Sequence, residues 1–333
     1  MQKLFLAFLL IHALKSAKAQ VLPSFGNSRT ATAGMQFLKI SADARASGLA
    51  GSYITIADNA GAAFWNPAAL TRISPEPLQF HASQGRYFGG FHLQNFGVVL
   101  RRQQSFWGVT VFSMNSPEML ETTEFQPKGT GRSFKSSNYH AGINYARILT
   151  NSFSFGLNGK YAREDYGSVY VQNVLFDLGL HYNVGVKNIK FAITLSNFGI
   201  NVQPGGEVML LKFDGNQAKK NFEEISVPAI FRLGASLDIL DIDKHKITLA
   251  SQLNHPTDNN ETMSVGVEYV MRKVLFVRTG YEFGQDINSF PPLGLGVLIK
   301  RKFGSLGIDY SLSNLQMLGN VHRLSLNLAI NKK

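Results

Sequence analysis

From position 153 to 161 the large apolar residues Phe153, Phe155, Leu157 and Tyr161 fall at odd positions, with Ser154, Gly156, Asn158 and Lys160 among the residues between them. A period of two puts the two sets on opposite faces of an extended strand. The same alternation recurs in Tyr139, Ile143 and Tyr145; in Phe176, Leu178, Leu180 and Tyr182; in Ile189, Phe191, Ile193 and Leu195; and in Phe231, Leu233 and Leu237. It is most regular near the C-terminal end, in Met263, Val265, Val267 and Tyr269; Leu275, Val277, Tyr281 and Phe283; Leu306, Ile308, Tyr310 and Leu312; and Leu324, Leu326, Leu328 and Ile330. The opposite faces carry Asp177, His181, Arg232, Glu268, Arg278, Glu282 and Asp309. Such a face meets bulk water in a soluble sandwich and fills a polar lumen in a membrane barrel, so alternation alone does not separate the two.

The connections separate them. Joins near Arg102 and Gln103, Thr150 and Asn151, 185–187, 241–244, Arg272 and Lys273, and Arg301 and Lys302 are short, whereas those at 115–135, 200–226, 256–260, 285–292 and 313–320 are longer. With the N-terminus in the periplasm, every short turn falls on that side and every long loop outside, as in outer-membrane barrels. The expected fold is all-β, a transmembrane antiparallel barrel of about 14 strands in the cell outer membrane. Its direct partner is outer-membrane lipid.

The chain begins with Lys3, an apolar run over 4–11, and then Ala17, Lys18 and Ala19. A charged start, a short apolar core and an A-x-A site make a secretory signal peptide, too short to span as a helix. The expected organisation is a signal peptide at 1–19, an N-terminal extension and lumen plug at 20–76, and a barrel at 77–333. No cysteine is present, which removes disulfide frameworks, thiolate nucleophiles and cysteine metal sites. The net charge of +11 includes Lys3, Lys15 and Lys18 of the leader, leaving +8 after cleavage. No basic cluster interleaves with aromatics, so no nucleic-acid partner is expected.

The segment 41–73 is rich in alanine and glycine and lacks the two-residue period. Asn66 followed by Pro67 has the form of a helix N-cap with proline in the first turn, predicting a short helix through Ala68, Ala69 and Leu70. Small side chains fit a segment that folds into a lumen, and it is read as a plug.

Asp43, Ala44, Arg45, Gly48, Gly51, Ala57, Asp58, Asn59, Trp65, Asn66, Pro67, Ala68 and Leu70 resemble the N-terminal signature of the PorV/PorQ family. Ile308, Asp309 and Tyr310, with Leu318, Gly319, Asn320, Val321, His322, Arg323 and Leu324, are similar to that family's closing motif. The resemblance spans position 34 to the end and is anchored at its two ends. It implies a FadL-like barrel with a plug carrying an Asn-Pro-Ala turn, and association with the type IX secretion system of Bacteroidetes. The partners it implies are the type IX translocon and the C-terminal domains of exported cargo, which a PorV-type subunit docks or shuttles. One departure is the C-terminal end, Ala329, Ile330, Asn331, Lys332 and Lys333, where many outer-membrane barrels close on an aromatic residue.

A search for chemistry finds no H-E-x-x-H, no G-x-S-x-G and no clustered metal ligands, so neither an enzyme nor a cofactor is expected. Asp214, Gly215 and Asn216 lack the later ligands of a calcium loop and read as a turn. Asp58 is expected to help cap the helix after it, and His322 and Arg323 to hydrogen-bond at a strand end. Arg232, Glu268, Arg278 and Glu282 are candidate lumen charges, expected to form a network of ion pairs, with the lining of a solute path as the alternative. Met119, Leu120, Phe125 and the apolar run 209–211 lie in outer loops, where apolar side chains suit partner contact or packing on the rim. Docking in protein secretion is the function the PorV/PorQ resemblance implies, with the loops 115–135 and 200–226 as the contact surfaces. The alternative is a FadL-like transporter of hydrophobic small molecules, which needs an apolar pocket near the outer loops and a break in the wall.

Overall fold

A computed structural model describes residues 33–331, except 208, 212–216, 220–221 and 285–289, and gives only the backbone of 209–211 and 217–219. The expected leader at 1–19, the extension up to 32 and the turn at 214–216 lie outside the described residues. The barrel strands are β1 (Leu78–Arg86), β2 (His92–Arg102), β3 (Ser105–Asn115), β4 (Ser137–Ile148), β5 (Phe153–Asp165), β6 (Val169–Asn183) and β7 (Lys190–Phe198). They continue as β8 (Ile230–Ile242), β9 (His245–Pro256), β10 (Thr262–Met271), β11 (Leu275–Phe283), β12 (Leu293–Arg301), β13 (Gly304–Asn314) and β14 (Asn320–Ile330). Each pairs antiparallel with the next, and β14 returns to β1 from Leu78↔Ile330 to Arg86↔His322. Closure leaves no open edge, the condition for strands to cross a bilayer.

Parity sorts the side chains as the sequence suggests. Phe96, Leu100, Trp107, Ile143, Leu157, Val174, Leu233 and Leu295 face outward and are exposed, an apolar surface that only lipid can cover. The intervening Asn95, Thr110, Asn144, Lys160, Asp177, Thr194, Gln252, Glu268 and Asp309 face inward and are buried. A polar inward face stays buried only because something fills the lumen.

The filling is the segment 33–77. Its contacts reach opposite walls: Ala44 N donates to Ser325 Oγ of β14 at 2.9 Å, Tyr53 N to Gln252 Oε1 of β9 at 3.2 Å, and Thr71 Oγ1 to Ser154 Oγ of β5 at 2.9 Å. The chain enters the lumen at the outer-loop end, where Gly34 N donates to Ser226 O at 3.0 Å and Lys39 pairs with Asp258 at 2.9 Å. It leaves at the turn end to begin β1. The segment therefore threads the full height of the lumen, rather than closing only its periplasmic mouth.

Local sequence explains its turns. Asp43 caps the short helix α1 (Ala44–Gly48), its carboxylate accepting from Arg45 N at 2.8 Å and Ala46 N at 3.3 Å. Asn66 caps the 3-10 helix Pro67–Arg72, accepting from Ala68 N at 2.9 Å with proline at the first position. This turn packs directly on Gly156 and Gly179, where any Cβ would strike the backbone of Pro67 or the Asn66 side chain. Wall glycines thus sit where the plug presses closest.

The connections depart from strict alternation at one place. On the outer side β5 and β6 are joined by three residues, 166–168, with Gly167 at φ +81 and its N–H held by Asp165 Oδ1 at 3.2 Å. These two strands are correspondingly long and their hairpin extends past its neighbours. At β11–β12 the ladder stops at Thr279↔Leu293, leaving the last residues of β11 unpaired with β12. That seam is the shortest ladder in the wall.

Candidate functional site

The lumen has two chemically distinct sides. On the β10 to β14 side lies a chain of charges. Arg45 of α1 donates to both oxygens of Glu268, each at 2.9 Å, and also reaches Asp58. Arg278 donates to Glu268 Oε2 at 2.6 Å and to Asp309 Oδ1 at 2.6 Å, and Asn327 Nδ2 donates to Asp309 Oδ2 at 3.1 Å. Two buried guanidiniums thus share one buried carboxylate, where such charge-assisted bonds are strong and their loss costly, while Asp58 faces a cavity of about 360 Å³. The Tyr53 hydroxyl accepts from Asn59 Nδ2 at 3.2 Å.

On the β2 to β6 side the outer half of the inward face carries an apolar patch set among the buried polar residues Asn95, Asn138, Glu164 and Asn173. Leu93, Phe112, Met114, Val171 and Leu175 point inward and are buried, against the polar rule of a lumen. They are covered by the chain itself. Phe37 of the 3-10 turn Gln36–Lys39 lies over Phe112 with ring centroids 6.3 Å apart and planes 15° apart, and Met35, Leu38 and Ala42 complete the cluster. Met35 enters this turn at φ 52, a left-handed conformation rare for a non-glycine residue, and its N–H is held by Glu164 Oε2 at 3.0 Å. His140 stacks on Phe112 at 5.3 Å, and both its ring nitrogens lack a hydrogen-bond partner among the described residues. The inner wall thus carries an apolar patch, and residues 35–38 pack against it.

Below the outer loops, between the plug and the wall from β8 to β14, is a cavity of about 330 Å³ lined by Lys39, Ser47, Trp65, Arg232, Glu282 and Arg323 among others. Arg232 lies over the Trp65 ring at 5.8 Å and donates to Ser196 Oγ at 2.9 Å, while Glu282 accepts from Thr262 Oγ1 at 2.7 Å. The upper part of β11, paired with β10 but not with β12, borders this cavity through Glu282.

The residues singled out in the sequence are therefore dispersed over several settings. Glu268 and Arg278 pair directly, whereas Arg232 and Glu282 line the cavity and form no ion pair among the described residues. Asp43 and Asn66 cap turns, Trp65 packs edge-on against Tyr53 at 5.9 Å, and Pro67 opens its helix. Asp58 corrects its expected role: Asn59 is the N-cap of Ala60–Phe64 and makes no side-chain cap bond, while Asp58 reaches back to Arg45. Asn320 accepts from Asn314 at 2.7 Å across the β13–β14 loop, in which Gly319 takes φ +88. His322 and Arg323 point to opposite faces, as neighbours on a strand must. His322 meets Tyr310 on the lipid face at 2.7 Å, and Arg323 reaches inward to Ser41 O at 3.0 Å, holding the plug. Phe37, Phe112 and His140 were not singled out. The available signal was apolar residues at both parities of one strand, as in Phe106 beside Trp107 and Phe112 beside Val111.

A closed fourteen-strand antiparallel barrel with a lipid-facing apolar belt and a filled polar lumen is an integral β-barrel of the cell outer membrane. Its architecture is FadL-like. The toluene transporter TbuX of Ralstonia pickettii superimposes with a TM-score of 0.59 at 12% identity, covering 85% of this chain and 96% of that one. The monoaromatic hydrocarbon channel CymD gives a TM-score of 0.59 at 12% identity, with 86% and 97% covered. A FadL homologue of Pseudomonas aeruginosa gives 0.55 at 12% identity, with 86% and 98% covered. At this identity the likeness establishes the fold. No protein-family model and no curated protein matches the sequence.

Proposed function

We propose that the protein is a plugged outer-membrane transporter for hydrophobic small molecules, gated by its own N-terminal segment. The observation that carries this reading is the apolar patch of Leu93, Phe112, Met114, Val171 and Leu175, which faces a lumen and is covered by Phe37 and Leu38. An apolar molecule arriving from outside competes with the 35–38 turn for the same surface, and withdrawal of that turn exposes the pocket to the cavity beside it. The short β11–β12 ladder at that level supplies the weak place in the wall that such a route needs. The resemblance in architecture to transporters of toluene and other monoaromatic hydrocarbons supports the same reading.

A second reading, a docking or cargo-shuttling subunit of PorV/PorQ type in type IX secretion, is favoured by apolar side chains on the outer loops. Phe125 is 92% exposed and Leu120 66% exposed in the loop 116–136, and Met317 is 99% exposed between β13 and β14. Gene deletion separates the two. Transport predicts impaired uptake of lipophilic nutrients with secretion of cargo bearing type IX signals intact. Loss of that cargo from the medium, with recovery of the translocon barrel on affinity capture, supports docking and overturns the transport reading.

A further inference from the structure

Each of the six turns at the periplasmic end carries or borders an exposed cation: Arg102, Arg147, Lys187, Lys244, Arg272 and Arg301. Among the described residues none of the six is in an ion pair, and the acids in or beside these turns are Asp241 and Asp243. The outer loops carry both signs, including Glu118, Glu121 and Glu124 beside Lys128 and Arg132. The cationic rim is therefore a property of one end.

In one sector the rim has the geometry of a site. Arg102 pairs in register with Ser105, and Ser105 with Arg147, so two guanidiniums flank one hydroxyl across β2, β3 and β4. All three face outward, because the next lipid-facing pairs are Leu100↔Trp107 and Trp107↔Tyr145. Neighbouring strands lie about 4.8 Å apart, which puts the two arginine backbones roughly 10 Å from each other. Two long side chains can close on one phosphate from that spacing. Trp107 and Tyr145 pack together at 4.6 Å between ring centroids, and Tyr145 meets Phe155 edge-on at 6.1 Å. An aromatic cluster at this height marks the boundary between acyl chains and headgroups. The cations lie one residue pair beyond it, about 7 Å further along the strands, at headgroup level.

We propose that Arg102, Ser105 and Arg147 form a binding site for an anionic phospholipid of the periplasmic leaflet. The phosphate lies between the two guanidiniums over the Ser105 hydroxyl, and one acyl chain runs along Leu100 and Trp107. Continuity with the apolar belt favours a lipid over an acidic protein segment, since a bound headgroup here is anchored by chains already solvated by the barrel surface. The remaining turn cations raise the local potential and favour an anionic headgroup over a zwitterionic one. The site depends on the barrel alone and is independent of what the lumen transports.

The test is native mass spectrometry of the full chain released from micelles containing equal phosphatidylglycerol and phosphatidylethanolamine. The wild type retains phosphatidylglycerol preferentially, and R102Q/R147Q loses that preference by about fivefold or more for each cation removed. R102K/R147K keeps most of it, and K128Q/R132Q in the outer loop leaves it unchanged; heat-modifiable migration on gels confirms that each variant is folded. Equal retention of the two lipids by wild type, or an undiminished preference in folded R102Q/R147Q, overturns the proposal. Complete displacement of the lipid by millimolar inorganic phosphate at constant ionic strength also overturns it, showing an anion site without a lipid requirement.

Discussion

Replacing Glu268 by alanine should cost the folded protein about 3–5 kcal/mol, the penalty for leaving buried charges without their partner. Glu268 is the shared acceptor of Arg45 and Arg278, so its removal strands two guanidiniums at once. Arg278 retains Asp309, and Arg45 retains only Asp58, whose carboxylate is 46% exposed and already solvated. The damage should therefore fall mainly on the plug. A urea titration in lipid vesicles followed by fluorescence reads this directly, because the chain has two tryptophans, Trp65 in the plug and Trp107 on the lipid face. In a W107F background the Trp65 transition should move to lower urea in E268A. The double variant R45M/E268M should recover much of the loss, since an apolar pair of similar volume needs no counter-charge. An unchanged Trp65 transition in E268A would show that the charge chain does not hold the plug.

The double variant F37A/L38A should bind an apolar fluorophore such as N-phenylnaphthylamine roughly tenfold or more tightly than the wild type. In the wild type the ligand must displace a turn whose Phe37 ring is stacked on Phe112, so only the fraction of molecules with the turn withdrawn is competent. Truncating both side chains removes apolar contacts worth about 2–5 kcal/mol each in well-packed cores and leaves the pocket of Leu93, Phe112 and Met114 open. The variant retains the Lys39 to Asp258 pair and the Met35 to Glu164 bond, so the segment remains tethered. Equilibrium titration of purified protein in detergent measures the change. Equal affinity in the two proteins would mean that the pocket is not a ligand site.

The barrel was legible in the sequence because its two faces obey one simple rule. Phe176, Leu178 and Leu180 against Asp177 and His181 reveal which side meets lipid without any knowledge of partners. The Asn66 to Pro67 turn was legible for a similar reason, since capping is a contact between near neighbours. Partner choice inside the lumen was not. Arg45 and Glu268 are separated by 223 positions, and parity fixes the face of Glu268 but not which residue comes to meet it. Asp58 was misread because a local cap was weighed against no distant alternative, while the buried Arg45 offers the carboxylate a stronger interaction. The apolar patch was hidden by the rule that revealed the barrel. Leu93 and Phe112 break the inward polar pattern that the strands near the C-terminal end keep. The three-residue β5–β6 connection is an exception to the alternation of loop lengths, because Gly167 makes a tight turn on the side of the long loops.

The central claim is that residues 35–38 must leave their pocket for a hydrophobic molecule to pass. Ala33 and Ser226 are paired in an isolated parallel bridge just above that turn, and the natural chain has no cysteine to interfere with a designed one. The decisive measurement is entry of N-phenylnaphthylamine into proteoliposomes carrying A33C/S226C, compared between the reduced and the oxidised protein. The account predicts entry with the bridge reduced and its loss when the disulfide ties the segment to the outer loop. Equal entry in both states, or none beyond that of protein-free liposomes, would contradict it.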